Sequence, residues 1–209
     1  MRRAELVRLL ERVPPFPAPR ADLEQVATPA EAAATLLASA ERWDRLAGRS
    51  VLDLGCGTGR LAIGAAALGA RPVVGIDADA AAIAVAEEAA SRAGVDVQFA
   101  VGPVEAAEGP AELVVMNPPF GAQRRHADRP FWTVAFREAR RSVYAFSLAA
   151  SRSFIARRTV ARQAHVLEVV PVPWVLGRTF PHHRRRQVGL EVDLWAIRTV
   201  DDDDGDPPP

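Results

Sequence analysis

Apolar positions along this chain follow two alternating rhythms, short continuous runs and helical spacing, and that alternation predicts a mainly parallel α/β sheet. Ala4, Leu6, Val7, Leu9, Leu10 and Val13 recur at helical intervals, so residues 2–13 are expected to form a short amphipathic helix. Pro14, Pro15, Pro17 and Pro19 end it and stiffen the connector to the next element. Thr28-Pro29-Ala30-Glu31 reads as a helix start, with Thr28 as N-cap, Pro29 first and Glu31 closing a capping box; the helix should reach about Leu46. Strands are expected at 50–54, 72–77 and 112–116, each a short apolar run, and at 142–147. Val95, Val97, Phe99 and Val101 alternate with less apolar neighbours, the mark of a strand covered on one face, often at an edge. Helices should fill the intervals after 59 and 79, from about 131 to 141, and over 151–163. Residues 165–171 and 189–198 read as a closing antiparallel pair, with Glu191 and Asp193 facing away from Leu190, Val192 and Leu194. Seven strands result.

The chemistry concentrates where these strands end. Ser50-Val51-Leu52-Asp53-Leu54 runs directly into Gly55-Cys56-Gly57-Thr58-Gly59, and alternating glycines permit positive φ and close approach of a ligand to the backbone. No Lys-Ser or Lys-Thr comes after it, as a P-loop needs, and the turn is shorter than the dinucleotide fingerprint. The next strand ends in Asp77, the position where α/β nucleoside sites hold a ribose diol, and Asp79 should cap the helix after it. The run Glu112–Met116 leads into Asn117-Pro118-Pro119-Phe120. Two prolines fix φ and remove two donors, leaving a rigid rim of carbonyls beside an aromatic ring. Such a rim suits a planar amine with two hydrogens to donate, such as the exocyclic amine of a nucleobase on which Phe120 stacks. A Pro-Pro turn whose Asn caps its own backbone is the purely structural alternative.

Composition narrows the setting. The chain has 209 residues, enough for one core without staples, and 49% are hydrophobic with no run long enough to span a bilayer. No signal-peptide pattern opens it, so a cytoplasmic location is expected. Cys56 is the single cysteine and the four histidines lack ligand spacing, so no metal is expected. Net charge is zero, but the average hides an acidic stretch from Asp201 to Asp206 and a basic one from Arg178 to Arg186. Phe180, His182, His183, Arg184, Arg185 and Arg186 suit a phosphate backbone with one stacked base. Arg124, Arg125, His126 and Arg129 either clamp a target nucleotide or fold against their own helix.

Asp53-Leu54-Gly55-Cys56-Gly57-Thr58-Gly59, Asp77 and Asn117-Pro118-Pro119-Phe120 together resemble the class I S-adenosylmethionine-dependent methyltransferases that methylate amines. Leu23-Glu24-Gln25 with Thr28-Pro29, the run Gly121–Phe131, Phe180–Arg185 and Glu191–Leu194 are similar to the methyltransferase-like-protein-five family. That resemblance covers about residues 23–198 and implies a Rossmann-like fold: a seven-stranded, mostly parallel sheet with an antiparallel C-terminal strand and helices on both faces. The expected organisation is an N-terminal helix and connector over 1–22, a methyltransferase domain over 23–200 and an acidic, proline-rich tail over 201–209. The implied reaction is methyl transfer from S-adenosyl-L-methionine to the N6 amine of an adenine, in small-subunit ribosomal RNA. By position, Asp53, Gly55, Cys56, Gly57, Thr58 and Gly59 form the methionine side of the cofactor site, with Gln25, Thr28 and Pro29 at its end. Asp77 and Ala78 meet the ribose, Val104 the adenine, and Asn117 and Pro118 the target amine beside Pro119 and Phe120. The acid that usually comes after the third strand is Pro103 here, so adenine recognition falls to backbone near Val104. Eukaryotic relatives imply a partner as well, a small zinc-binding activator protein docked on the edge strand 95–101; the chain's own N-terminal helix could equally cover that edge. Two other readings stay open. One is a protein-glutamine N5-methyltransferase acting on a translation factor, a family that generally has Tyr at the position of Phe120 and a larger N-terminal domain. The other is a non-catalytic RNA-binding relative.

Overall fold

The structure is a computed structural model and describes residues 1–121, 123–176 and 188–200. Its helices are α1 (Arg3–Glu11), α2 (Ala30–Asp44), α3 (Arg60–Ala67), α4 (Ala80–Ala93), α5 (Arg129–Glu138) and α6 (Arg152–Ala161). Its strands are β1 (Val51–Leu54), β2 (Val73–Asp77), β3 (Gln98–Val101), β4 (Ala111–Met116), β5 (Ala139–Leu148), β6 (His165–Leu176) and β7 (Val188–Arg198). They form one seven-stranded sheet in the order β3-β2-β1-β4-β5-β7-β6. The first five are parallel to one another, and β7 is antiparallel to both β5 and β6. The Rossmann-like sheet that the resemblance implies is therefore present, with the closing antiparallel pair expected from the residue pattern.

Both faces are covered, which is why the central strands are continuous apolar runs. Leu113 and Val115 of β4 join a core with α1, α2 and α3 through Leu10, Leu36, Leu37 and Ala62, all fully buried. Val114 and Met116 point the other way, into a core built with Trp132 of α5 and Ile155 of α6. Helix α1 belongs to the first core, since Leu6, Val7 and Leu10 are buried in it. Glu191 is exposed, but Asp193, on the same face of β7, is buried and takes two hydrogen bonds from Arg152 at 2.6 and 2.7 Å.

Local departures from the expected elements have tertiary causes. Thr28 does not cap α2: Pro29 holds the N-cap position without a side-chain bond, because the Thr28 hydroxyl is taken by Asn117 and Glu31 pairs with Arg3 at 2.7 Å. Helix α5 stops at Glu138 rather than near 141, since Ala139 pairs with Ala111 of β4 and Arg141 reaches the buried Asp44 at 2.6 Å. Strand β3 is shorter than 95–101; Val95 and Val97 instead pack with Phe99 against the cluster of Val13, Ile63, Ala89 and Ala90. No helix among the described residues is long and apolar enough to cross a membrane.

Candidate active site

In an open parallel sheet the crevice forms outside the C-terminal strand ends, where strand order reverses. Here that point lies between β1 and β4, and a cleft of about 660 Å³ opens there. Its wall is built from the ends of four strands and the turns leaving them: Gly55–Thr58 after β1, Asp77 and Ala78 at β2, Gly102–Glu105 after β3, and Asn117 with Pro119 after β4. The size is that of a small-molecule or cofactor site.

The glycine turn is needed for its shape. Gly55 and Gly57 hold φ of +66° and +55°, and a Cβ on either would stand 2.7 Å from the ring of Phe131 or Phe16 respectively. Asp77 locks this turn: its carboxylate accepts the Gly57 amide at 2.8 Å and the Asp79 amide at 2.9 Å. Burial and the nearby Asp79 charge push the Asp77 carboxyl upward. Asp79 caps α4 as expected, accepting from the Ala81 amide at 3.0 Å. Asp53 is buried, and one oxygen accepts the Ala62 amide at 3.0 Å while Oδ1 has no partner. Burial, then the charge of Asp77, pushes its carboxyl up to about 8. Cys56 is buried beside these acids and its thiol is pushed well up, mainly by burial, so it is packing in the turn and no nucleophile.

A strap from the N-terminal region closes the near side. Arg60 donates from Nη2 to the Val13 carbonyl at 2.7 Å and from Nη1 to the Thr28 carbonyl, and Thr58 bonds the Pro14 carbonyl at 2.8 Å. Gln25 is buried; its Nε2 donates to Asp79 at 2.7 Å and its Oε1 accepts the Arg20 amide at 2.8 Å. It therefore sits on the Asp77 side of the cleft. Glu24, in the left-handed region at φ 51°, turns its carboxylate outward. There it accepts the amides of Gly121, Gln123 and Arg124 at 2.9, 2.8 and 3.3 Å. Adjacent residues of one turn thus hold the cleft on one side and the loop after the proline motif on the other.

The motif separates this cleft from a smaller depression. Asn117 Nδ2 donates to Thr28 Oγ1 at 2.9 Å, while Asn117 Oδ1 is buried without a partner. That bond fixes which end of the amide is left as an acceptor. Pro119 borders both hollows; the smaller is lined by Pro118, Pro119, Phe120, Asp128, Ser147, Leu148 and Ser151. Phe120 leans edge-on against Trp174, with ring centroids 5.7 Å apart. Arg124, Arg125, His126 and Arg129 border the large cleft, together with Phe131.

Most of the residues singled out in the sequence meet at this cleft: Gln25, Thr28, Asp53, Gly55, Cys56, Gly57, Thr58, Asp77, Ala78, Val104 and Asn117. Pro29 and Gly59 stand behind it as the N-caps of α2 and α3. Phe180, His182, His183, Arg184, Arg185 and Arg186 lie outside the described residues. Sequence reasoning missed Phe16, Arg60 and Glu105, which also line the cleft, and the loop-holding role of Glu24.

Comparison with known proteins agrees with this arrangement. A family model described as ribosomal protein L11 methyltransferase (PrmA) matches residues 33–118, from α2 through the start of the proline motif. A Drosophila melanogaster protein named rRNA N(6)-adenosine-methyltransferase Mettl5 is 30% identical over 92% of this chain and 94% of its own length. A Danio rerio protein of the corresponding name is 29% identical over 93% of this chain and 97% of its own. Among solved structures, one from Pyrococcus horikoshii described as a candidate RNA methyltransferase has a TM-score of 0.88 at 34% identity. It covers 96% of this chain and 98% of its own. Relatives of 30% identity or more that align along nearly the whole of both chains place this one: it belongs to the METTL5 family of class I, S-adenosylmethionine-dependent methyltransferases.

Proposed function

We propose that this chain transfers a methyl group from S-adenosylmethionine to the N6 amine of an adenine in ribosomal RNA, with the small subunit as the source of that RNA. The observation that carries the reading is the Asn117 amide, whose nitrogen is committed to Thr28 while its buried oxygen has no partner. A buried acceptor left open is costly unless a ligand donates to it. The named relatives support the RNA substrate, and they match along the whole chain, whereas the L11-methyltransferase model ends at residue 118, within the cofactor half. Ribosomal RNA as substrate also favours a cytoplasmic location.

The residues fit the cofactor. Asp77 lines the cleft and is the acid we assign to the ribose hydroxyls, and the unpartnered Oδ1 of Asp53 suits an α-ammonium. Glu105 borders the cleft two residues beyond Pro103 and supplies an acid for the adenine amine that the sequence lacks at 103 itself. When bound, S-adenosylmethionine supplies an electrophilic methyl group on its sulfonium. Asn117 Oδ1 and the Pro118 carbonyl accept the two N–H bonds of the target amine, which turns its lone pair toward the cleft and fixes the attack geometry. No strong base is required, because the amine attacks as the neutral species and the methylated nitrogen gives up its extra proton to solvent afterwards. The strap over residues 13–28 and the Glu24-held loop restrict water at the reacting centre. Pro119, which borders both hollows, and Phe120 beside it form the surface against which the flipped base stacks. A zinc-binding activator protein is the partner proposed for the outer edge of β3, which pairs only with β2 and exposes Val101 by 56%.

The test is incubation with methyl-labelled S-adenosylmethionine and small-subunit RNA lacking the modification, followed by nuclease digestion and chromatography. Label is expected in N6-methyladenosine. Label in a protein fraction instead would favour the glutamine reading.

Asp53 gives this reading a pH signature. Its folded carboxyl titrates at about 8 against an ordinary 3.8, so in that window the free protein holds a proton that the unfolded chain has lost. Stability of the free protein therefore declines as pH rises from about 4 to 8. An ammonium bound at Oδ1 favours the carboxylate, so cofactor binding releases the proton. Between pH 5 and 7 the cofactor Kd should fall by up to about tenfold per pH unit. Calorimetry in two buffers of different ionisation enthalpy checks this, and Asp53→Asn should flatten the dependence.

A further inference from the structure

Net charge over the whole chain is zero, yet no acidic residue occurs between Glu138 and Glu168. That interval contains α6 and its C-terminal turn, with Arg152, Arg157, Arg158 and Arg162. Helix α6 begins where β5 ends, on the same side of the sheet as the proline motif, and Ser151 at its start lines the small depression with Phe120 and Leu148. Phe154 is half-buried and lies within cation–π reach of two guanidinium groups, Arg129 at 5.2 Å and Arg158 at 5.8 Å from its ring centre. Arg158 is further held by Thr133 of α5 at 2.7 Å. Positions three and four residues beyond Phe154 share its helix face, which brings Arg157 and Arg158 together. Arg157 is exposed and has no ion pair among the described residues. Arg152 differs: it neutralises the buried Asp193.

We propose that the Phe154–Arg157–Arg158 face of α6, continuous with Arg129, is a phosphate-binding track for the RNA strand flanking the target nucleotide. The proposal rests on the RNA reading above and adds to it the surface that carries the strand. Cation–π contact with Phe154 restrains the Arg129 and Arg158 side chains, so less side-chain entropy is lost when a phosphate is bound. Arg157 adds a free cation beside them. An anionic strand whose base reaches the proline motif meets this array at once, and the contacts carry no base specificity. A protein partner is the competing occupant, and it would leave the salt dependence of RNA binding untouched.

The experiment compares wild type, Arg157→Gln and Arg157→Gln/Arg158→Gln by fluorescence anisotropy on a short adenine-containing single-stranded RNA across a salt series. Cofactor Kd and steady-state kinetics are measured alongside. The slope of log K against log salt should become shallower by about 0.7 in the single variant and about 1.4 in the double. The KM for RNA should rise roughly tenfold in the double variant, with kcat and cofactor Kd at wild-type values. The single variant guards against misfolding, since Arg157 supports no other side chain. Unchanged slopes and KM in variants of an enzyme that methylates RNA would overturn the track alone. A wild-type protein that neither binds nor methylates RNA would overturn the RNA reading, and the track with it.

Discussion

Asn117→Ala is expected to lower the single-turnover rate on RNA by about 10²–10³-fold while the cofactor still binds close to its wild-type affinity. The side chain has two ends with different duties. Its nitrogen holds Thr28 at 2.9 Å and thereby the strap; its oxygen is buried and has no hydrogen-bond partner among the described residues. Loss of the first bond costs about 1 kcal/mol of stability, which a thermal melt reads directly. Loss of the second removes an acceptor whose interaction strengthens as the amine nitrogen loses electron density to the methyl, so the effect belongs to the rate and not to binding. Asn117→Asp separates the two duties further. It keeps an acceptor but offers no reliable donor to Thr28 and adds a charge near Asp53 and Asp77, so a different balance of kcat and cofactor affinity is expected. A rate within a few-fold of wild type for Asn117→Ala, measured in rapid quench with cofactor saturating, would remove Asn117 from the chemistry. The Pro118 carbonyl would then be the only acceptor left to the motif.

The parts of the molecule set by local pattern were readable in the sequence, and those set by long-range competition for one polar group were not. Strands β1, β2 and β4 are short apolar runs because both their faces are covered, and the turns after them carry glycine, acid and proline for backbone reasons visible locally. Thr28 shows where that reading fails. Its sequence context is a good N-cap, yet a partner 89 residues away claims the hydroxyl and the helix starts without a side-chain cap. Arg141 likewise reads as the end of a helix until the buried Asp44, on another element, draws it to the start of β5. The strap is the extreme case. Arg60 and Thr58 act through carbonyls of Val13, Pro14 and Thr28, and a carbonyl has no residue identity to read. Glu24 lies in a stretch the resemblance marks, but only the fold shows three loop amides converging on it. Phe120 was expected beside a base; it rests on Trp174 while bordering the depression, so the same ring buttresses the core and faces the proposed base site.

Asp77→Ala should have the complementary signature, a cofactor Kd raised by about two orders of magnitude with kcat largely kept once cofactor saturates. Two hydroxyl bonds to a carboxylate at about 1.5 kcal/mol each account for that factor. The same carboxylate accepts the Gly57 and Asp79 amides, at 2.8 and 2.9 Å, so its removal also frees the glycine turn whose positive φ values shape the cleft. Asp77→Asn keeps the side-chain shape and one acceptor but turns an amide nitrogen toward one of those two N–H groups. It should therefore weaken binding too, by less than Ala if the ribose contributes most and by as much if the turn does. Titration with S-adenosylhomocysteine distinguishes these, and a loss below about fivefold in both variants would leave Asp77 as a turn lock with no ribose contact. Because Asn117 directly follows β4 and Asp77 ends β2, on opposite sides of β1, the two substitutions address opposite walls of one cleft. A rate defect from one and an affinity defect from the other would assign the β4 side to the target amine and the β2 side to the cofactor, an assignment that a general loosening of the cleft cannot reproduce.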